Sequence, residues 1–150
     1  MARDALVPKN RILIEVPSNP ENVGVVRVAV AAFAAQLDFA IDEIDDIKVA
    51  VSEAVSNAVI HGYAEHPGMV SVEARAYADR LEIVVEDRGR GIEDVEKALQ
   101  PAFTTDPGRM GLGLTFMDSF MDELSVRSTP GKGATVLMVK RPSLAAKSTA

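Results

Sequence analysis

The sequence predicts an α+β fold in two layers, a mostly antiparallel sheet covered on one face by helices. Three observations predict it. Apolar residues alternate with period two in several short segments, the mark of half-buried strands. Four of those segments form two pairs, joined by the short turns Ala78-Asp79 and Pro130-Gly131-Lys132-Gly133. Between the first strand and the second, two longer segments carry apolar residues at helical spacing. With 150 residues, of which 47% are hydrophobic, the chain reads as one domain with a true core.

The elements follow in order. Arg11 to Val16 is a first strand, broken by Pro17, Ser18, Asn19 and Pro20. A helix runs from about Glu21 to Leu37, with Val23, Val26, Val30, Phe33 and Leu37 on one face. Beside that stripe Arg27, Ala31 and Ala35 form a face of small residues with one long cation. It suits either close packing against another helix of the chain or docking of a partner. A second helix, about Asp42 to Ile60, has Ile44, Ile47, Val51, Ala54, Val55 and Ala58 as its core stripe. Its other side holds Asp46, Val49, Ala50, Glu53, Ser56, Asn57 and Ile60. A solvated face usually carries several Lys and Glu, so this side is expected to line a pocket.

Met69 to Tyr77 and Arg80 to Asp87 alternate across the Ala78-Asp79 turn. Asp87 shares the parity of Leu81, Ile83 and Val85, so the pleat turns its carboxylate toward the core layer. A buried carboxylate is costly unless partnered, which marks the position as purposeful. Gly89 to Gly111 has little periodicity, and a loop this long in a small domain is usually functional, often a lid. A short helix at Asp94 to Leu99 is expected within it. Another helix follows Gly113, burying Leu114, Met117, Phe120 and Met121. Glu123 to Ser128 and Ala134 to Lys140 are the last strands, and the tail from Pro142 is expected to fray.

Composition excludes several classes of function. A net charge of -6 opposes non-specific binding to nucleic acid or anionic membranes, so neither is expected as a direct partner. Without cysteine there is no disulfide or thiol chemistry. Met1 to Asn10 has no apolar signal core, and the longest apolar run, Val28 to Ala35, is too short to span a bilayer. A cytoplasmic location is the expectation.

The chemistry-bearing residues lie in three places. Glu53 and Asn57 stand one helical turn apart; Asp87-Arg88-Gly89-Arg90-Gly91 ends a strand; Gly111-Leu112-Gly113 opens a helix. Neither GxxxxGK[ST] nor GxGxxG occurs, so this is not a P-loop enzyme or a dinucleotide-binding fold of the usual kind. An isolated GxG pair is weak evidence, because turns often need two glycines. An acid turned inward at a strand end, a carboxylate and an amide on one helix face, and glycines at a helix start together point to a nucleotide pocket.

That ordered set resembles the GHKL ATP-binding superfamily, which includes gyrase-type ATPases and histidine-kinase catalytic domains. The segment Val51-Ser52-Glu53-Ala54-Val55-Ser56-Asn57-Ala58-Val59-Ile60-His61-Gly62-Tyr63 is similar to the N-box of the anti-sigma serine kinases. Phe103-Thr104-Thr105 and Gly113-Leu114-Thr115-Phe116-Met117 resemble the same family, and Val30 to Asp38 resembles the first helix of the sporulation anti-sigma-F factors. The resemblance spans roughly residues 10 to 140 and implies a GHKL-type fold.

The resemblance implies roles that the chemistry of each residue can bear. The Asn57 amide oxygen is a hard ligand suited to Mg²⁺, and the matching family residue binds that metal. Glu53 matches the general base that takes a proton from the attacking hydroxyl; the plainer alternative is a solvated glutamate beside a capping asparagine. Asp87 accepts only, so it can take the exocyclic amine of adenine and reject guanine, as its family counterpart does. Gly89 and Gly91 let the backbone approach the base. Thr135 matches a threonine that helps hold the acid, or is an ordinary strand residue. Gly111 and Gly113 leave backbone N–H groups for phosphate oxygens, while Thr104, Thr105 and Arg109 on the lid close over the terminal phosphates. The lid segment Asp106-Pro107-Gly108-Arg109 is shorter than the sporulation family's usual form. His61, without a second ligand nearby, reads as a hydrogen-bonding residue at a helix end.

By the same resemblance the expected function is an anti-sigma factor that restrains a sporulation-type sigma factor. With Mg-ATP it would phosphorylate a serine on an anti-anti-sigma partner. Arg27 is the candidate partner contact, and a homodimer through the strand near Arg11 to Val16 is expected. The alternative is a module that binds ATP as a switch without transferring phosphate, either a stress-type anti-sigma factor or a detached histidine-kinase-like domain. The last is disfavoured because no helical hairpin with a phosphoacceptor histidine precedes residue 10.

Overall fold

A computed structural model of the chain describes residues 6–63, 66–89 and 110–143. Five strands form one sheet: β1 (Asn10–Pro17), β2 (Met69–Ala76), β3 (Leu81–Asp87), β4 (Glu123–Thr129) and β5 (Gly133–Lys140). Their spatial order is β1-β2-β3-β5-β4, with every neighbouring pair antiparallel. Three helices, α1 (Asn22–Ala34), α2 (Ile41–Asn57) and α3 (Met110–Phe120), supply the second layer. The expected helix at Asp94 to Leu99 and the tail beyond residue 143 lie outside the described residues.

The register explains why one face of the sheet is covered. Ile14, Val72, Val85, Val136 and Val126 stand in one row across all five strands, and Ile12, Ala74, Ile83, Met138 and Leu124 in the next. Both rows pack against Val26, Val30 and Phe33 of α1, Ile47, Val51 and Val55 of α2, and Leu114 and Met117 of α3. Fully burying a side chain of this size contributes about 1.5–3 kcal/mol, so these rows dominate the stability of the fold. The opposite face needs no cover. It carries a ladder in which Glu73 pairs with Arg11 and Arg75, Glu82 with Arg75 and Arg80, and Arg80 with Asp79.

Helix α2 lies between α1 and α3 and packs on both. Ala50, expected on a pocket-lining side, is therefore fully buried. Glu43 fixes the start of α2. One carboxylate oxygen accepts the Ala40 N–H at 2.9 Å and the other the Ser143 N–H at 3.1 Å, tying the segment that follows β5 to this helix. Burial alone would raise the Glu43 pKa. The two backbone hydrogen bonds and the nearby Lys140 charge outweigh it and leave the carboxyl below its usual range. An acid in the first turn also complements the helix dipole.

Two helix ends differ from the periodicity-based expectation. Helix α1 stops at Ala34, where Gln36 and Leu37 donate to Phe33 and Ala34 in tightened turns, yet Leu37 still packs against the core. Helix α2 ends at Asn57, and a π-helical turn over Ala58–Gly62 continues it, closed by Tyr63 N–H donating to the Ala58 carbonyl at 3.1 Å. This turn sits directly after the Glu53/Asn57 face, and single π turns often accompany functional sites.

Candidate nucleotide site

Glu53 and Asn57 emerge on one face of α2, both half-buried, where the first turn of α3 crosses it. The crossing is close because residue 113 is glycine. A Cβ there would stand 3.0 Å from Glu53 Oε2 and 3.2 Å from Asn57 Nδ2. Neither side chain hydrogen-bonds another described residue, so two polar groups remain available beside a helix N-terminus. Helix α3 begins at Met110, so Gly111 and Gly113 both lie in its opening turn rather than ahead of it. The first N–H groups of such a turn lack intrahelical partners and favour anions.

Asp87 ends β3 with its side chain on the helix-covered face, only 8% exposed. Its Oδ1 accepts the Gly89 N–H at 2.9 Å, and Ala134 stands opposite it on β5, its backbone N–H favouring the ionised carboxylate. Burial is the largest influence and raises its pKa. The two backbone donors pull it down, the Glu86 charge pushes it up, and the net direction is upward. The strand end is clamped from outside by Gly133, whose φ is +109°; a Cβ there would lie 2.1 Å from the Asp87 carbonyl oxygen. Only glycine fits both the angle and the contact.

The structure does not bring Thr135 to this acid. Asp87 pairs with Ala134, whereas Thr135 pairs with Glu86 on the opposite face of the sheet. The correction follows from strand parity: Val136 and Met138 point to the helices, so Thr135 points away. Gly91, Thr104, Thr105 and Arg109 lie outside the described residues.

Arg27 is better placed than sequence alone indicates. Its guanidinium approaches Ser52 Oγ at 3.4 Å, and a groove of about 390 Å³ between α1 and α2 is lined by Arg27, Asp45, Lys48, Val49, Ser52 and Glu53. The small-residue side of α1 thus borders the Glu53 side of α2. A cleft of about 350 Å³ lined by Lys9, Gln36, Asp38 and Pro142 shares no residue with this constellation.

Two residues of the site went unassigned from sequence. Gly133 belonged to a stretch read only as a turn, and Tyr63 closed the helix segment without a role. The Tyr63 hydroxyl donates to the Met69 carbonyl at 2.7 Å and accepts the Arg88 N–H at 2.7 Å, immediately after Asp87.

Mg²⁺ fits the donors present. It takes one or two protein oxygens and completes its shell with phosphate and water. Asn57 offers an amide oxygen and Glu53 a carboxylate, both beside a cradle that a Cβ at residue 113 would fill. Among the described residues no group of three His, Cys, Asp or Glu could hold a metal by itself.

Residues 16–140 match the family described as the histidine kinase-like ATPase domain. The anti-sigma F factor of Thermoanaerobacter sp. (strain X514) is 54% identical over 125 residues, covering 82% of this chain and 87% of that protein. The anti-sigma F factor of Caldanaerobacter subterraneus subsp. tengcongensis is 51% identical over 133 residues, covering 87% and 93% respectively. The chain belongs to the anti-sigma F branch of the histidine kinase-like ATPase family. Family membership implies ATP as the bound nucleotide. A solved structure of the RsbU and RsbW domains of a Mycobacterium tuberculosis protein shares the fold, with a TM-score of 0.64 at 23% identity over 89% of this chain and 32% of that one. The histidine kinase domain of a blue-light activated kinase from Erythrobacter litoralis superposes with a TM-score of 0.56 at 19% identity over 85% of this chain and 62% of that one. Among the described residues no helix of this family member is long and apolar enough to cross a membrane.

Proposed function

We propose that this chain is an anti-sigma factor with ATP-dependent serine kinase activity, binding a sporulation-type sigma factor and phosphorylating a serine of an anti-anti-sigma partner. The observation that carries the kinase reading is the Glu53/Asn57 face, without a hydrogen-bond partner among the described residues, pressed against Gly113 at the start of α3. Glu53 accepts the proton of the acceptor serine hydroxyl as its oxygen bonds to the γ-phosphorus. The bond from that phosphorus to the β–γ bridging oxygen breaks, and ADP leaves. The Asn57 amide oxygen would hold Mg²⁺, which when bound would neutralise charge on the phosphates. The N–H groups of the α3 opening turn, with Gly111 and Gly113, donate to phosphate oxygens. Asp87 accepts the adenine amine while Gly89 keeps the backbone close. Gly91, Thr104, Thr105 and Arg109 belong to the same proposal as the remaining base and lid contacts.

Partner binding is assigned to the α1–α2 groove. Arg27 lines it, and Val25, Val28 and Val49 are exposed on the same two helices, a cation among apolar residues that suits a protein contact. The edge strand β1, with Leu13 about half exposed, is the proposed homodimer contact.

Pull-down from the source cell with the chain preloaded with ATP or ADP tests the regulatory half. The expected result is a sigma factor retained in a nucleotide-dependent manner by wild type and lost with Arg27→Glu. Capture of no sigma factor in either state would refute it. ATP binding without transfer to any serine would leave a binding module and remove the kinase half.

A further inference from the structure

We propose that Tyr63 is a positioning residue for nucleotide-base selectivity, holding the Asp87 strand end against the turn that follows Asn57. The proposal rests on the assignment of Asp87 to adenine and goes beyond it.

Three observations carry it. The Tyr63 hydroxyl uses both its donor and its acceptor capacity on backbone, giving to Met69 O and taking from Arg88 N–H, each at 2.7 Å. The ring is seated by Gly68, where a Cβ would lie 2.2 Å from Tyr63 Cε1. The Tyr63 N–H closes the π turn on Ala58, the residue after Asn57. One residue, by its backbone N–H and its hydroxyl, therefore joins the exit of the Glu53/Asn57 helix, the start of β2 and the peptide next to Asp87.

The consequence is directional. Asp87 must present its carboxylate to the base edge while its own carbonyl side is pinned by Gly133. Gly133 restrains the strand end laterally but gives no hydrogen bond to the Arg88 N–H. Tyr63 supplies that bond, so its hydroxyl sets the orientation of the Asp87–Gly89 turn. Losing it loosens a turn that matters for recognising the base and leaves the core rows untouched.

The test compares ATP with inosine triphosphate, which differs in presenting a carbonyl where adenine has its amine. Tyr63→Phe keeps the ring on Gly68 and removes only the hydroxyl. ATP affinity is expected to fall by about three- to tenfold, the range for one intramolecular hydrogen bond, while inosine triphosphate affinity stays within about twofold. Discrimination between the two then shrinks, which general destabilisation would not produce, since that weakens both nucleotides alike. Wild-type discrimination fully retained in Tyr63→Phe overturns the inference. A wild type that does not prefer ATP overturns the Asp87 assignment instead. Amide hydrogen exchange on the wild-type protein adds a measurement independent of any variant. Slow exchange at Arg88 supports the bond to Tyr63, and exchange at the free-peptide rate refutes it.

Discussion

Replacing Asp87 by Asn separates folding from recognition. Asp87 is 8% exposed, and burial together with the Glu86 charge makes its ionised form costly, so its pKa lies above the ordinary value of 3.8. Two backbone donors, Gly89 N–H and Ala134 N–H, offset part of that cost. Asn keeps one oxygen acceptor, so it can retain the Gly89 bond, but it sets an NH₂ where the second carboxylate oxygen was. The folded state loses the favourable field of the Ala134 N–H on the second oxygen and is relieved of a buried charge. These effects oppose each other at roughly 1 kcal/mol each, and the thermal midpoint should move little. Recognition has no such compensation. The adenine amine meets an amide NH₂ or a neutral oxygen in place of a carboxylate, a loss of about 2–3 kcal/mol, or roughly 30- to 150-fold in affinity. Calorimetric titration with ATP, beside a thermal melt, reads both quantities. Retained ATP affinity in a folded Asp87→Asn protein would refute the assignment of Asp87 to the base. A collapse in stability would refute the argument that its charge is held for function.

Three further outcomes follow from the same geometry. Because the Asp87 pKa is raised, the acceptor form is lost on acidification before an ordinary aspartate would protonate. Wild-type ATP affinity should weaken as pH falls toward that range relative to Asp87→Asn, whose profile retains only the nucleotide's own titration; parallel profiles would contradict this. Gly113→Ala places a methyl 3.0 Å from Glu53 Oε2, so phosphoryl transfer should drop by about tenfold while helix propensity holds stability level or raises it by up to about 1 kcal/mol. Transfer at the wild-type rate would show that the crossing is not tight. The Glu43 carboxyl is depressed below its ordinary 4.5, so its stabilisation is complete above that value and disappears as pH falls through the lower folded pKa. Glu43→Ala, leaving the Ala40 and Ser143 N–H groups without their acceptor, should cost about 1–3 kcal/mol at neutral pH and progressively less in acid, measured by urea denaturation.

Period-two and helical patterning carried much of this fold. The rows through Val72 and Ile83 follow from alternation alone, and the same alternation turns Asp87 inward. The same parity sets Thr135 on the other face, because Val136 and Met138 are inward; likeness to a family threonine carries no information about the pleat. Ala50 lay on the side of α2 expected to be open, since periodicity of one helix cannot tell that two neighbours flank it. Gly133 and Tyr63 were invisible for a related reason. Their importance comes from contacts with Asp87 and Arg88, far along the chain, and from a φ of +109° that a run of turn residues does not specify. The π turn over Ala58–Gly62 has no periodic signature, because one wide turn leaves the hydrophobic stripe of α2 unchanged.

The proposed role of Glu53 as proton acceptor in serine phosphorylation is read by single-turnover transfer from labelled ATP to the proposed anti-anti-sigma partner. Wild type should yield acid-stable phosphate on one serine. Glu53→Gln should bind ATP within about twofold of wild type yet transfer at least about 100-fold more slowly. Transfer by Glu53→Gln at the wild-type rate would remove Glu53 as the proton acceptor, and a wild type that holds ATP and modifies no serine would remove the kinase activity itself.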